Sequence, residues 1–123
     1  RNHDKVELLE RTNARSMNKL NEPIDILTVD VSFISILKII PNILSSLNNH
    51  SEILALIKPQ FELPKHLVDQ GGVVKSHLLH ASAVARIVVK LLNYNLYYKQ
   101  LIQSPLLGAD GNREFFVWMC HEK

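Results

Sequence analysis

The sequence predicts an α/β domain on a mostly parallel sheet that closes with an antiparallel hairpin, and three observations carry that reading. Residues 53–57 form an unbroken apolar run that stops at one charge, Lys58, the pattern of a strand buried on both faces in a parallel sheet. Residues 24–29 form a second such run, stopped by Asp30, and the stretch between the two runs carries the 3.6-residue apolar spacing of a crossover helix. Residues 96–103 and 114–120 are two further strands whose connection is too short for a crossover, so they should lie antiparallel.

The 123 residues are 46% hydrophobic, enough for one core and too few for two. A net charge of +2 neither demands nor excludes a nucleic-acid partner, because such binding depends on a local patch. The single cysteine, Cys120, cannot form an internal disulfide, and no secretory signal opens the chain, so a cytoplasmic location is expected. The apolar region 24–47 is interrupted by Asp25, Asp30, Lys38 and Pro41, short of the roughly 20 apolar residues a membrane span requires. Nothing in the sequence sets an oligomeric state.

Residues 5–9 are a weak strand candidate, ending in Glu10, Arg11, Thr12 and Asn13, a polar cluster able to bind hydroxyls or amines, or simply a turn. A helical turn or two should follow over residues 14–20, ended by Asn21-Glu22-Pro23. After the strand at 24–29, Phe33, Ile36, Leu37, Ile40, Ile43, Leu44 and Leu47 should share one helix face, with Ser32 as cap and Pro41 kinking or splitting the helix. Asp30 could equally be a helix cap on its own account.

Beyond Lys58, Pro59 must end the strand because it has no N–H for a sheet ladder. A lysine there reads either as a solvated strand end or as a group placed where open α/β sheets bind ligands. Residues 59–75, with Gly71-Gly72 at the centre, should be a mobile loop over the cleft. Ser76 then caps a helix with Leu79, Ala83, Val84, Ile87, Val88 and Leu91 on one face, ended by residues 93–95. His77 and His80 lie one turn apart, but no further ligand of suitable type accompanies them, and no metal is expected. Because the last strand runs against the others, Glu114 at its start should share a rim with Asp30 and Lys58.

Four separated stretches then become specific: Asp30-Val31-Ser32-Phe33-Ile34-Ser35, Leu56-Ile57-Lys58-Pro59-Gln60-Phe61-Glu62, Gly71-Gly72-Val73-Val74, and Ser104-Pro105 through Gly111-Asn112-Arg113-Glu114-Phe115. In this order they resemble the TlyA (hemolysin A-like) RNA methyltransferases, relatives of the FtsJ type, from Glu10 almost to the end of the chain. The resemblance implies a class I, Rossmann-like S-adenosyl-L-methionine-dependent methyltransferase fold and methylation of ribose 2′-hydroxyls in ribosomal RNA. It also implies a Lys-Asp-Lys-Glu tetrad, in which Asp30 matches the aspartate, Lys58 the second lysine and Glu114 the glutamate. The first lysine, the glycine-rich cofactor loop and an S4-like RNA-binding domain lie upstream in the family and have no counterpart here. Residues 1–123 are therefore expected to be the second part of a catalytic domain, inactive alone. Glu10, Arg11, Thr12, Asn13 and Asp30 fall where the family contacts the cofactor.

The implied partner is ribosomal RNA or a ribosomal subunit, without a membrane. Amino-group methyltransferases of this fold carry two prolines and an aromatic after the Asp or Asn; here Asp30 is followed by Val31 and Ser32, which favours an oxygen acceptor. The rival readings are a noncatalytic RNA-binding or ribosome-assembly module and a membrane-active hemolysin.

Overall fold

A computed structural model describes residues 3–122. Its four strands, β1 (Ile24–Val29), β2 (Leu47–Ile57), β3 (Leu96–Gln103) and β4 (Phe115–His121), form one sheet in the order β1-β2-β4-β3. β1 and β2 are parallel, whereas β4 is antiparallel to both β2 and β3. The closing antiparallel pair is as expected, but the sheet is mixed, with one parallel pair. The last strand causes this: it returns through the middle of the sheet, inserts between β2 and β3, and so turns two of the three pairings antiparallel.

Among the described residues, helices cover one face only. Ser51, Ile53, Ala55 and Ile57 of β2 are buried on that face, in register with Met119 and Val117 of β4 and with Leu27 and Val29 of β1. Against them pack α1 (Ile40–Ile43), its flanking 3₁₀ turns, and α3 (His77–Leu91) through Val84, Ile87 and Leu91. Each such aliphatic side chain contributes about 1.5–3 kcal/mol by leaving water. On the opposite face Ile26, Leu54 and Trp118 remain 67%, 40% and 38% exposed. The expectation that β2 is buried on both faces therefore fails at Leu54, because no helix of the described residues crosses that side.

The expected helix from Phe33 to Leu47 is broken into a 3₁₀ turn at Ile36–Lys38, the single α turn α1, and a 3₁₀ turn at Leu44–Ser46. Pro41 lies in the first turn of α1, where its missing N–H does no harm, so it starts a segment as well as splitting one. The cap is Ser35, whose hydroxyl accepts from Leu37 N, and not Ser32. Phe33 leaves the apolar face altogether. Leu47 already belongs to β2, which begins six residues before its apolar run because its first part pairs with Ile24.

No strand forms over residues 5–9, and residues 14–20 yield only a 3₁₀ turn at Ala14–Ser16, capped by Asn13. α3 matches the expectation, with Ser76 accepting from Leu79 N and with Asn95 in the left-handed region, φ 58°, turning the chain into β3. The segment expected as a mobile loop over the cleft holds α2 (Pro59–Glu62), a 3₁₀ turn at Lys65–Leu67, and a turn closed by the Asp69–Val73 bridge. Gly71 and Gly72 sit in that turn at φ 91° and 80°, a conformation that other L-residues adopt only with strain.

Candidate active site

The parallel pairing of Val29 with Ala55 and the antiparallel pairing of Ile57 with Phe115 bring Asp30, Lys58 and Glu114 to one end of the sheet. Lys58 Nζ lies 2.7 Å from Asp30 Oδ1 and donates to Ser32 Oγ at 3.2 Å. Its side chain is 13% exposed, whereas that of Asp30 is 69% exposed. The aliphatic stem of the lysine is thus embedded, and its amine emerges beside a solvated carboxylate. Pro59 fixes the backbone immediately after it, as the first residue of α2.

Glu114 is buried, 7% exposed, and accepts from Gln60 Nε2 at 3.1 Å. Gln60 lies two residues after Lys58, so Glu114 meets the Lys58 turn through this amide. Two of the three rim charges are directly paired, and the third joins them through Gln60.

A second buried carboxylate, Glu62, ties the two loops together. At the end of α2 it accepts from Ser35 Oγ at 2.5 Å and from Ile36 N at 3.0 Å, while Arg86 donates to its backbone carbonyl at 2.9 Å. The segment after Asp30 is thereby fastened to the segment after Lys58. Burial raises the Glu62 pKa above the ordinary 4.5, outweighing the lowering by the Ser35 hydroxyl, the Ile36 N–H and the Arg86 charge. A carboxyl with a raised folded-state pKa holds its proton more tightly folded than unfolded, so its stabilisation is present below pH 4.5 and is lost as pH rises through the raised value. Melting temperature followed upward from pH 4.5 should fall in the parent protein, and Glu62→Gln should flatten that slope; an unchanged slope would place the titration elsewhere.

Phe33 stands three residues after Asp30 with φ 64°, 88% exposed, its ring 4.8 Å from that of Phe61. A large side chain held outward in the left-handed region is strained, about 1–3 kcal/mol, and such strain concentrates at ligand sites. Nothing in the apolar spacing separates Phe33 from its helical neighbours. Gln60 and Glu62 lie in a motif whose chemistry drew attention to Lys58 alone.

Thr12 and Asn13 lie in the wall of a concavity of about 750 Å³ along residues 4–22, which does not include Asp30, Lys58 or Glu114. Thr12 Oγ1 donates to Glu10 O at 3.1 Å, and Asn13 Oδ1 accepts from Arg15 N at 3.0 Å. Glu10 and Arg11 are exposed, Arg11 at φ 52°. Among the described residues no group of three or more His, Cys, Asp or Glu side chains could hold a metal ion, and no helix is long and apolar enough to cross a membrane.

Residues 1–120 match the family model of FtsJ-like methyltransferases. The chain is 35% identical over 121 residues to the 16S/23S rRNA (cytidine-2′-O)-methyltransferase TlyA of Mycobacterium tuberculosis, covering 97% of this chain and 45% of that one. It is 36% identical over 120 residues to Hemolysin A of Brachyspira hyodysenteriae, covering 95% and 50%. A solved Streptococcus thermophilus protein described as a candidate hemolysin superposes with a TM-score of 0.94 at 28% identity, covering 99% of this chain and 45% of its own. The chain thus spans about half the length of the curated relatives it matches.

Proposed function

Since the chain belongs to the FtsJ-like methyltransferase family, we propose that in the intact protein its Asp30, Lys58 and Glu114 rim serves S-adenosyl-L-methionine-dependent 2′-O-methylation of ribosomal RNA. The observation that carries this reading is the Lys58 amine, embedded by its stem and aimed by Asp30 at 2.7 Å and Ser32 at 3.2 Å, at the carboxyl end of a strand. S-adenosyl-L-methionine, when bound, supplies an electrophilic methyl group on a sulfonium. The other reactant, a ribose hydroxyl, is a poor nucleophile until its proton is taken as attack proceeds. Lys58 would be the base in its uncharged form: its Nζ would accept the 2′-proton as the 2′-oxygen takes up the methyl group that the bound cofactor supplies. Asp30 and Ser32 hold the amine in place, and Asp30 then faces the resulting ammonium. Glu114 completes the edge.

Thr12 and Asn13, with Glu10 and Arg11 beside them, would hold the polar adenosine end of the cofactor. The concavity they border is roomy and polar-walled, which suits a nucleoside. The exposed ring of Phe33, three residues from Asp30, offers a face on which an unstacked base can rest. A ribosomal substrate would be met in the cytoplasm.

The test is incubation of the intact protein with labelled cofactor and ribosomal subunits. Label should enter RNA, and the modified linkage should resist alkali, since a methylated 2′-oxygen cannot attack its phosphate. Phe33→Ala should raise the RNA concentration for half-maximal rate and leave cofactor affinity unchanged. RNA binding without methyl incorporation would leave a noncatalytic RNA-binding module instead; vesicle leakage without either would favour the membrane-active alternative.

A further inference from the structure

The Glu114 carboxylate lies against the bare face of Gly108. A Cβ placed on Gly108 would lie 2.1 Å from Glu114 Oε2, 2.4 Å from Cδ and 3.0 Å from Oε1, closer than side-chain atoms can approach. The backbone of Gly108 has φ −80° and ψ −165°, which any residue adopts, so it is the Glu114 carboxylate, and not the turn, that a side chain there would have to push aside. Gly108 is itself held, donating its N–H to Asn112 O at 2.8 Å.

The other wall is Gln60, whose Nε2 donates to Glu114 Oε2 at 3.1 Å. Its Oε1 is buried with no hydrogen-bond partner among the described residues. Rotating the amide by half a turn would set that carbonyl against the carboxylate, acceptor to acceptor, so the orientation is dictated by Glu114. An apolar side chain of the same length would fill this space with no orphaned acceptor, which makes the donated bond the physical reason for an amide here. Gln60 follows Lys58 by two residues in a turn pinned by Pro59 and by Glu62, so it carries the position of the lysine turn to the carboxylate.

Resting on the catalytic reading of the rim, we propose that Gln60 and Gly108 are positioning residues that hold the Glu114 carboxylate beside the Lys58 turn, Gln60 by donating to it and Gly108 by leaving its place open. Neither need touch substrate. Gln60→Met keeps length and removes the donor, and in the intact protein it should slow single-turnover methylation roughly 10- to 100-fold, as for loss of one hydrogen bond to a charged group. Cofactor affinity and melting temperature should stay near those of the parent. Gly108→Ala should act in the same direction by displacing the carboxylate, and Gln60→Met keeps the test open if that variant folds poorly. The deciding measurement is the double variant: if Gln60 works through Glu114, adding Gln60→Met to Glu114→Gln should cost less than about 2-fold more. Independent, multiplying losses would overturn the assignment, as would a Gln60→Met defect that tracks a fallen melting temperature. A fully active Glu114→Gln single variant would instead remove the catalytic reading itself, and the positioning role with it.

Discussion

Lys58→Ala in the intact protein should lower single-turnover methylation of ribosomal subunits by roughly 100- to 10,000-fold, the contribution of general-base help, while cofactor affinity stays near that of the parent. The expectation rests on geometry: a side chain 13% exposed, an amine 2.7 Å from Asp30 and 3.2 Å from Ser32, and a proline fixing the backbone after it. Lys58→Arg discriminates between roles. A guanidinium keeps charge and approximate reach, so it could preserve the pairing with Asp30, but it stays protonated and cannot accept the ribose hydroxyl proton. Arginine should therefore fail to rescue the rate even where it rescues the fold. A structural role predicts the reverse, with arginine tolerated and alanine lowering the melting temperature; an active Lys58→Arg enzyme would sink the base assignment.

The second large effect is on stability, at Asn112. The residue is 2% exposed, and its side chain makes three hydrogen bonds at 2.9 Å each: Oδ1 accepts from Val74 N, and Nδ2 donates to Gly72 O and to Ala109 O. One side chain thus joins the glycine turn, the start of the segment leading to α3, and the turn that seats Glu114. Asn112→Ala leaves a buried N–H and two carbonyls without this partner. At about 1–3 kcal/mol for each orphaned group, partly recovered by water entering the gap, the folded state should lose about 2–4 kcal/mol. Asn112→Asp should recover the bond from Val74 N and not the two donated ones. Urea unfolding of the three proteins checks the ordering; an alanine variant as stable as the parent would show that these bonds are replaced by water without loss.

The glycine turn illustrates what local reading can and cannot reach. Gly71-Gly72 correctly signals a reversal, since positive φ is a local requirement. That the turn is clasped by a residue 40 positions later is not local, and it ties down a segment expected as a mobile loop. Phe33 is a similar case. Its spacing from Ile36 and Ile40 fits a helix face, yet Glu62, from the next segment, accepts from Ser35 and Ile36 and pulls the chain into a 3₁₀ start that leaves Phe33 outside.

What the sequence by itself determined is whatever short-range physics decides. β1, α3 and β3 are bounded by apolar runs, a serine cap and a left-handed asparagine, and the strand-end charges at Asp30 and Lys58 follow from where those runs stop. The antiparallel closing pair also followed, from a connection too short for a crossover. The tertiary structure alone decided that β4 enters between β2 and β3, which makes the sheet mixed, because strand order depends on competition among long-range pairings that no local period encodes. It alone decided that Gln60 and Gly108 enclose Glu114 and that Glu62 ties the two loops. These contacts join residues 26 to 54 positions apart or require a vacant Cβ position, and neither leaves a mark on composition or spacing.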